Sequence, residues 1–148
     1  MDLTDEILIP APRDAVFAAL NDPEILKASI PGCEELLRHS DRDLEAKVVL
    51  KIGPVKARFS GKVTLDPSEA PSRFTLRGEG NGGIAGFAKG GATVELIEQE
   101  GGTLLRYTAN ADVGGKIAQL GNRLIQGTAK KLAGEFFDNF SNAVAPKA

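Results

Sequence analysis

The sequence contains one cysteine, one histidine and no tryptophan. Cys33 therefore cannot form an internal disulfide, and one Cys with one His supplies too few ligands for a typical zinc site. His39 lies in the polar turn HSDRD, away from Cys33 in the sequence, so nucleophilic catalysis lacks a base beside its nucleophile. We predict a structural thiol at Cys33, a solvated His39, and neither a metal nor a cofactor.

Long apolar runs are also missing. No stretch approaches the roughly 20 apolar residues that span a bilayer, and the N-terminus lacks the charged start and apolar run of a secretory signal. The net charge of −2 gives no overall attraction to nucleic acid. We predict a single domain over residues 1–148 that is cytoplasmic, does not bind nucleic acid, and meets a membrane only peripherally.

The spacing of the apolar residues predicts the order of the elements. Leu3 to Ile9 is typical of a strand, and two short helices follow, one starting at Pro12 and one capped by Asp22 and ending before Ile30. From residue 35 to 113 the period is two, which indicates about six antiparallel strands. A long C-terminal helix completes an α+β fold. Turns are predicted at Gly53-Pro54, Pro67 to Pro71, and Gly101-Gly102.

Glycine, by contrast, is abundant, with 17 of 148 residues. Five glycines occur in the segment DVGGKIAQLGNRLIQGTAKKLAGEFF (112–137), where the long helix is expected, although each glycine inside a helix costs about 0.5 to 1 kcal/mol relative to alanine. Helical spacing places Gly121 in the middle of a buried stripe. Gly121→Leu should then fill a cavity without loss of stability. The stripe consists of Ile117, Leu120, Gly121, Leu124, Thr128 and Leu132.

The inward face of the predicted sheet also carries small residues where large ones normally fill a core. Either the helix approaches the sheet closely at these positions, or a hydrophobic cavity of roughly 300 to 1,000 Å³ separates them. The small inward residues are Gly78, Gly80, Ala88, Gly90, Ala92, Ala109 and Ala111. The candidate ligand-binding residues are Phe59, Leu76, Gly78, Gly90, Ala92, Tyr107, Ala109, Ile117, Leu120, Gly121, Leu124 and Thr128.

Four stretches resemble the CoxG-like family of carbon monoxide dehydrogenase proteins, which belongs to the START-like, helix-grip (SRPBCC) superfamily. They are IPAPRDAVFAALNDPEILKASIPGCEEL (9–36), KIGPVKARFSGKVTL (51–65), GNGGIAGFAKGGATVEL (80–96) and GGTLLRYTANADVGGKIAQLGNRLI (101–125). The resemblance implies a non-enzymatic protein with a curved antiparallel sheet of about seven strands around a long C-terminal helix. It also implies a hydrophobic cavity, a quinone or lipid-like ligand, and an accessory role to a molybdenum-containing dehydrogenase at the membrane.

A run of basic residues faces outward on the predicted hairpin around Gly53-Pro54. Its default interpretation is a solvated strand face, since outward lysines protect sheets from pairing with other chains. The alternative is docking to an acidic partner protein or to anionic lipid at the inner face of the membrane. The candidate docking residues are Lys47, Lys51, Lys56, Arg58 and Lys62.

Three functions remain open at this point. The first is a carrier that binds a hydrophobic molecule and does no chemistry. The second is an assembly, maturation or membrane-recruitment factor for a multisubunit dehydrogenase, with no ligand. The third is a START-like enzyme acting on an aromatic or polyketide substrate, for which inward acid and base groups are scarce, Glu135 being the main exception.

Overall fold

The computed structural model describes residues 1–144, which form one seven-stranded antiparallel sheet with a long C-terminal helix. The strand order β1-β7-β6-β5-β4-β3-β2 confirms the predicted helix-grip fold class. The strands are β1 (Asp2–Ile9), β2 (Cys33–Arg38), β3 (Asp43–Ile52), β4 (Val55–Asp66), β5 (Arg73–Asn81), β6 (Phe87–Gln99) and β7 (Gly102–Gly114). The helices are α1 (Arg13–Leu20), α2 (Pro23–Ser29) and α3 (Asn122–Val144), with 3₁₀ turns at Gly83–Ala85 and Lys116–Leu120.

The two short helices begin as their sequences require. The Asp22 carboxylate accepts a hydrogen bond from the Glu24 backbone N–H at 2.9 Å, and Pro23 occupies the first position of α2, where no N–H is needed. Pro12 lies one residue outside α1, because its backbone is extended, with φ −62° and ψ 152°. The helix therefore begins at Arg13 rather than at Pro12.

The long helix begins later than its sequence pattern predicts. Strand β7 continues to Gly114, the chain then makes a 3₁₀ turn, and α3 starts only at Asn122. Gly115 and Gly121 flank the 3₁₀ turn with φ of +79° and +93°, a left-handed backbone that favours glycine. The prediction that Gly121 lies inside the helix is therefore wrong: Gly121 is the bend between the turn and α3. Among the described residues, no helix is both long enough and apolar enough to cross a bilayer.

The apolar core consists of two clusters rather than one. The first cluster packs the C-terminal half of α3 against α1 and the sheet, and its largest fully buried side chains include Phe140, Ile9, Leu96 and Leu105. The second cluster is smaller and centres on Phe59, Ala85 and Ile117, near the β3–β4 turn. The region of the sheet between the two clusters is the candidate site.

Candidate ligand-binding site

The strand register brings the predicted small residues together on one face of the sheet. Gly78 pairs with Gly90, which pairs in turn with Ala111 on β7. Gly61 and Gly80 form a further pair. We name this set the small-residue belt; its members are Gly61, Gly78, Gly80, Ala88, Gly90, Ala92, Ala109 and Ala111.

The small-residue belt separates the two apolar clusters. On β4, Phe59 belongs to the second cluster and Leu65 to the first, with Gly61 between them. On β7, Val113 and Tyr107 stand in the same relation around Ala111. The side chains at the cluster centres are buried, whereas all members of the belt are only half-buried. The interior thus has a middle zone that large side chains do not fill.

Three glycines of the belt do not lie against the helix. A Cβ added at Gly78 would meet Lys62 O and Val63 Cγ2 at 3.5 Å, both on the neighbouring strand. A Cβ at Gly80 would meet only Ser60 O at 3.9 Å, and one at Gly61 likewise meets only strand backbone. Within residues 1–144, therefore, no atom of α3 comes within 4 Å of these positions, and close packing of helix on sheet does not explain these glycines.

Gly90 is glycine for another reason. A Cβ there would overlap the β7 backbone at Asn110 and Ala111, so β6 and β7 approach each other too closely for a side chain. Both interpretations of the small residues thus hold, at different positions: close backbone contact at Gly90, and open space at Gly61, Gly78 and Gly80.

The helix is held at its edges and not at the centre of the sheet. The Gln126 amide donates to the Asp2 carbonyl at 2.6 Å, and the Asn139 amide donates to the Ser29 carbonyl at 3.2 Å. The main packing partner of α3 is α2, followed by β1, β3 and α1. Strands β4 to β6, which carry most of the belt, are not among these main partners in the described chain.

The helix surface facing the sheet also becomes small beside the belt. Phe136 and Phe140 pack in the first cluster, and the same stripe continues through Ala133 and Ala129 at spacings of three and four residues. Both alanines are half-buried. The sequence analysis missed them because it aligned the stripe on Leu120 and Leu124; counting back from Phe140 would have found them.

The remaining predicted lining residues are dispersed. Ile117 and Leu120 belong to the second cluster, in the 3₁₀ turn rather than in α3. Leu124 is 39% exposed and contacts the β3–β4 turn, where its Cδ2 lies 2.7 Å from the position a Gly53 Cβ would take. Thr128 is half-buried, and Gly121 is exposed with nothing within 4 Å of an added Cβ. Gly121 therefore leaves the candidate site.

Tyr107 supplies a polar group among the apolar residues. Its ring stacks on Phe137 with centroids 5.5 Å apart, and burial, assisted by the negative charge of Asp5, raises the pKa of its hydroxyl. Among the hydrogen bonds of residues 1–144, none involves this hydroxyl, which leaves it free to bond to a ligand.

The candidate catalytic side chains are not gathered at the belt. Burial raises the pKa of the half-buried Cys33 thiol, which disfavours the reactive thiolate. His39 is exposed, as predicted, and its Nε2 lies 2.7 Å from Glu45 Oε2. Glu135 is exposed, so its expected place near the apolar face is wrong. In the described part of the chain, no three His, Cys, Asp or Glu side chains are grouped to hold a metal ion.

A broad trough of about 1140 Å³ lies on the opposite, outer face of the sheet. Its walls are polar and carry both charges, including Thr93, Arg77, Glu79 and Lys89. Such a surface suits water better than an apolar ligand, so we assign the candidate site to the inner face.

The five candidate docking residues divide into two groups. Arg58 contacts Glu34 at 2.7 and 3.3 Å, and Lys47 lies 3.6 Å from Glu35. Lys62 stands opposite Glu45 and Glu79 in the register. Lys51 and Lys56 instead pair directly with each other across the turn. These last two cations are therefore the ones available to an external anion.

Comparison with known proteins gives consistent results. The family model for the carbon monoxide dehydrogenase protein CoxG matches residues 6–145. A conserved protein from Geobacillus kaustophilus is 28% identical, with a TM-score of 0.90 over 97% of this chain and 95% of that one. No curated protein matches the sequence significantly.

More distant structures share the fold alone. The aromatase/cyclase Zhui from Streptomyces sp. R1128 is 12% identical, with a TM-score of 0.71 over 97% of this chain and 93% of that one. A START superfamily protein from Mycobacterium smegmatis is also 12% identical, with a TM-score of 0.72 over 97% of this chain and 96% of that one.

Proposed function

Because the chain belongs to the CoxG family of carbon monoxide dehydrogenase proteins, we propose that it binds a hydrophobic molecule between the sheet and α3 without transforming it. The observation that carries this proposal is the small-residue belt. Its glycines at positions 61, 78 and 80 leave space that neither the helix nor any other element of the described chain fills within 4 Å, apart from the adjoining strands.

The dimensions of the belt favour a flat or elongated ligand. It runs across β4 to β7, and three strand spacings of about 4.8 Å make roughly 14 Å. Aromatic rings stand at both ends, Phe59 in the second cluster and the Tyr107–Phe137 stack in the first. A quinone or lipid-like molecule matches this length and apolarity, with the Tyr107 hydroxyl as donor to a carbonyl oxygen.

We further propose that the ligand serves an accessory role in a molybdenum-containing carbon monoxide dehydrogenase system at the cytoplasmic face of the membrane. Membership of the CoxG family supports this link. The alternative, an assembly or recruitment factor without ligand, is favoured by the tight backbone contact at Gly90, where a small residue does serve packing. The fold shared with an aromatase/cyclase lends little support to an enzyme, since the belt itself carries no ionisable side chain.

One substitution tests the carrier proposal. Gly78→Leu places a side chain in the open zone with its Cβ at ordinary contact distance from Lys62 and Val63. We expect the variant to fold and to lose at least tenfold in affinity for a quinone or fatty ligand, measured by native mass spectrometry and thermal shift. Thr93→Leu, on the outer face of β6, is the matched control and should bind as the unaltered protein does.

Two outcomes would contradict the proposal. A Gly78→Leu protein that binds as tightly as the control would show that the ligand does not occupy the belt. Uptake of no molecule from a quinone and lipid panel by the unaltered protein, together with strong destabilisation by Gly78→Leu, would favour the assembly factor, because a filled core does not accept the added side chain.

A further inference from the structure

Three connections meet at the end of the molecule that carries the second cluster. They are the β3–β4 turn (51–56), the β5–β6 loop (81–87) and the β7–α3 connection (113–124). Ala85 and Ile117 are packed together with Ile52 and Val55 in this cluster, and Leu124 covers Gly53. We name this assembly of three segments the basic tip.

The basic tip exposes apolar side chains that the rest of the fold would be expected to bury. Ile84 is 95% exposed, Phe87 47% and Leu124 39%. Ile84 occupies the short 3₁₀ turn Gly83–Ala85, which projects from the sheet, and a Cβ added at Gly83 would meet nothing within 4 Å. An isoleucine in this position contributes nothing to the core of the monomer, so its apolar surface is available to an external phase.

The charges of the basic tip have one sign. Lys51, Lys56, Lys116 and Arg123 are exposed, and the three segments contain no aspartate or glutamate, although the whole chain has a net charge of −2. Within residues 1–144, none of the four has a carboxylate within 4.0 Å, in contrast to Lys47 and Arg58. Lys51 and Lys56 also stand directly opposite each other, an arrangement that destabilises a sheet unless an anion compensates.

We propose that the basic tip docks the protein on an anionic lipid bilayer, with Ile84 inserted at the acyl-chain boundary and the four cations on headgroup phosphates. A protruding apolar side chain ringed by cations has the chemistry of interfacial membrane anchors. A folded acidic partner would need a pocket matched to Ile84, whereas a bilayer needs none. The inference rests on the proposed function only for its purpose: docking places the belt, next to the second cluster, close to a source of hydrophobic ligand.

Vesicle sedimentation tests the proposal. The probes are phosphatidylcholine vesicles with and without phosphatidylglycerol, both free of quinone. We expect binding only to the anionic vesicles. Ile84→Ser should weaken it about tenfold or more, and the double variant Lys51→Gln/Lys56→Gln about 25-fold, at about fivefold per charge.

A matched control separates the basic tip from overall charge. Arg42 and Arg73 lie at the opposite ends of the strands, in or beside the β2–β3 and β4–β5 turns, so Arg42→Gln/Arg73→Gln removes the same charge elsewhere. It should bind vesicles as the unaltered protein does. All variants should keep their melting temperature, because the altered side chains are exposed.

Three results would overturn the proposal: equal losses in the control, unchanged binding by Ile84→Ser, or binding to soluble polyglutamate but not to anionic vesicles. The last would indicate an acidic protein partner. Because the vesicles contain no quinone, these results are independent of whether the belt binds a ligand, which detergent-solubilised quinone tests separately on the same variants.

Discussion

Gly78 and Gly90 are direct partners across β5 and β6, yet they lack a side chain for different reasons. Gly78 has ordinary contact distances around an added Cβ, and Gly90 has the backbone of Asn110 in that place. Sequence periodicity puts both on the inward face and cannot distinguish them. The distance between neighbouring strands decides which glycine marks space and which marks contact.

The pair makes a matched prediction for single residues. Gly78→Ala should leave the free energy of unfolding unchanged or raise it by up to about 1 kcal/mol, because glycine is unfavourable inside a strand. Gly90→Ala should lower it by about 1 to 3 kcal/mol through overpacking. Urea unfolding followed by circular dichroism measures both. Equal effects of the two substitutions would show that the strand spacing at Gly90 relaxes easily.

Among the elements, α3 and the turn before it explain why this region is rich in glycine. Gly127 and Gly134 lie on the exposed side of α3, and an added Cβ would meet nothing within 4 Å at either position. Gly121 is required for its left-handed bend. Gly121→Leu would consequently be strained whatever the space around it, so it does not test for a cavity.

Alanine substitutions should therefore act in opposite directions within this one segment. Gly127→Ala should raise the free energy of unfolding by about 0.5 to 1 kcal/mol, since alanine is the better helix former. Gly121→Ala should lower it by about 1 to 2 kcal/mol, the cost of left-handed backbone for a residue with a Cβ. Thermal and urea unfolding provide the measurement. Stabilisation by Gly121→Ala would mean that α3 extends through the bend.

In the molecule as a whole, the two apolar clusters are joined by continuous strands. Strand β4 runs from Phe59 in the second cluster to Leu65 in the first, and β7 connects Tyr107 with Val113. The small-residue belt contributes little apolar packing between them, so backbone pairing must couple the two ends. The single tyrosine, Tyr107, reports on the first cluster alone.

This arrangement predicts one cooperative unfolding transition. Ile117→Ala, in the second cluster, should cost about 2 to 5 kcal/mol and shift the urea midpoints of Tyr107 fluorescence and far-ultraviolet circular dichroism equally. Leu8→Ala, at an exposed position on β1, is the control and should change little. A Tyr107 midpoint that stays in place while the dichroism midpoint falls would show that the clusters unfold separately.

Local patterns along the chain were sufficient to predict the strand and helix order, the inward face of each strand and the family. These follow from period-two alternation, the Asp22-Pro23 start of α2, and turns at Gly53-Pro54 and Gly101-Gly102. The same patterns put the small residues on the inward face, which the register confirms.

Contacts between distant segments determine where α3 begins, which glycines border open space, and which cations are unpaired. Ile117 and Leu120 are three residues apart, a spacing that suits both a 3₁₀ turn and an α-helix, and the positive φ at Gly121 has no signature in periodicity. Lys51 and Arg58 look alike in the sequence, but Glu34 reaches Arg58 from β2 across a gap of 24 residues. Such contacts depend on how distant strands are brought together, which no local pattern contains.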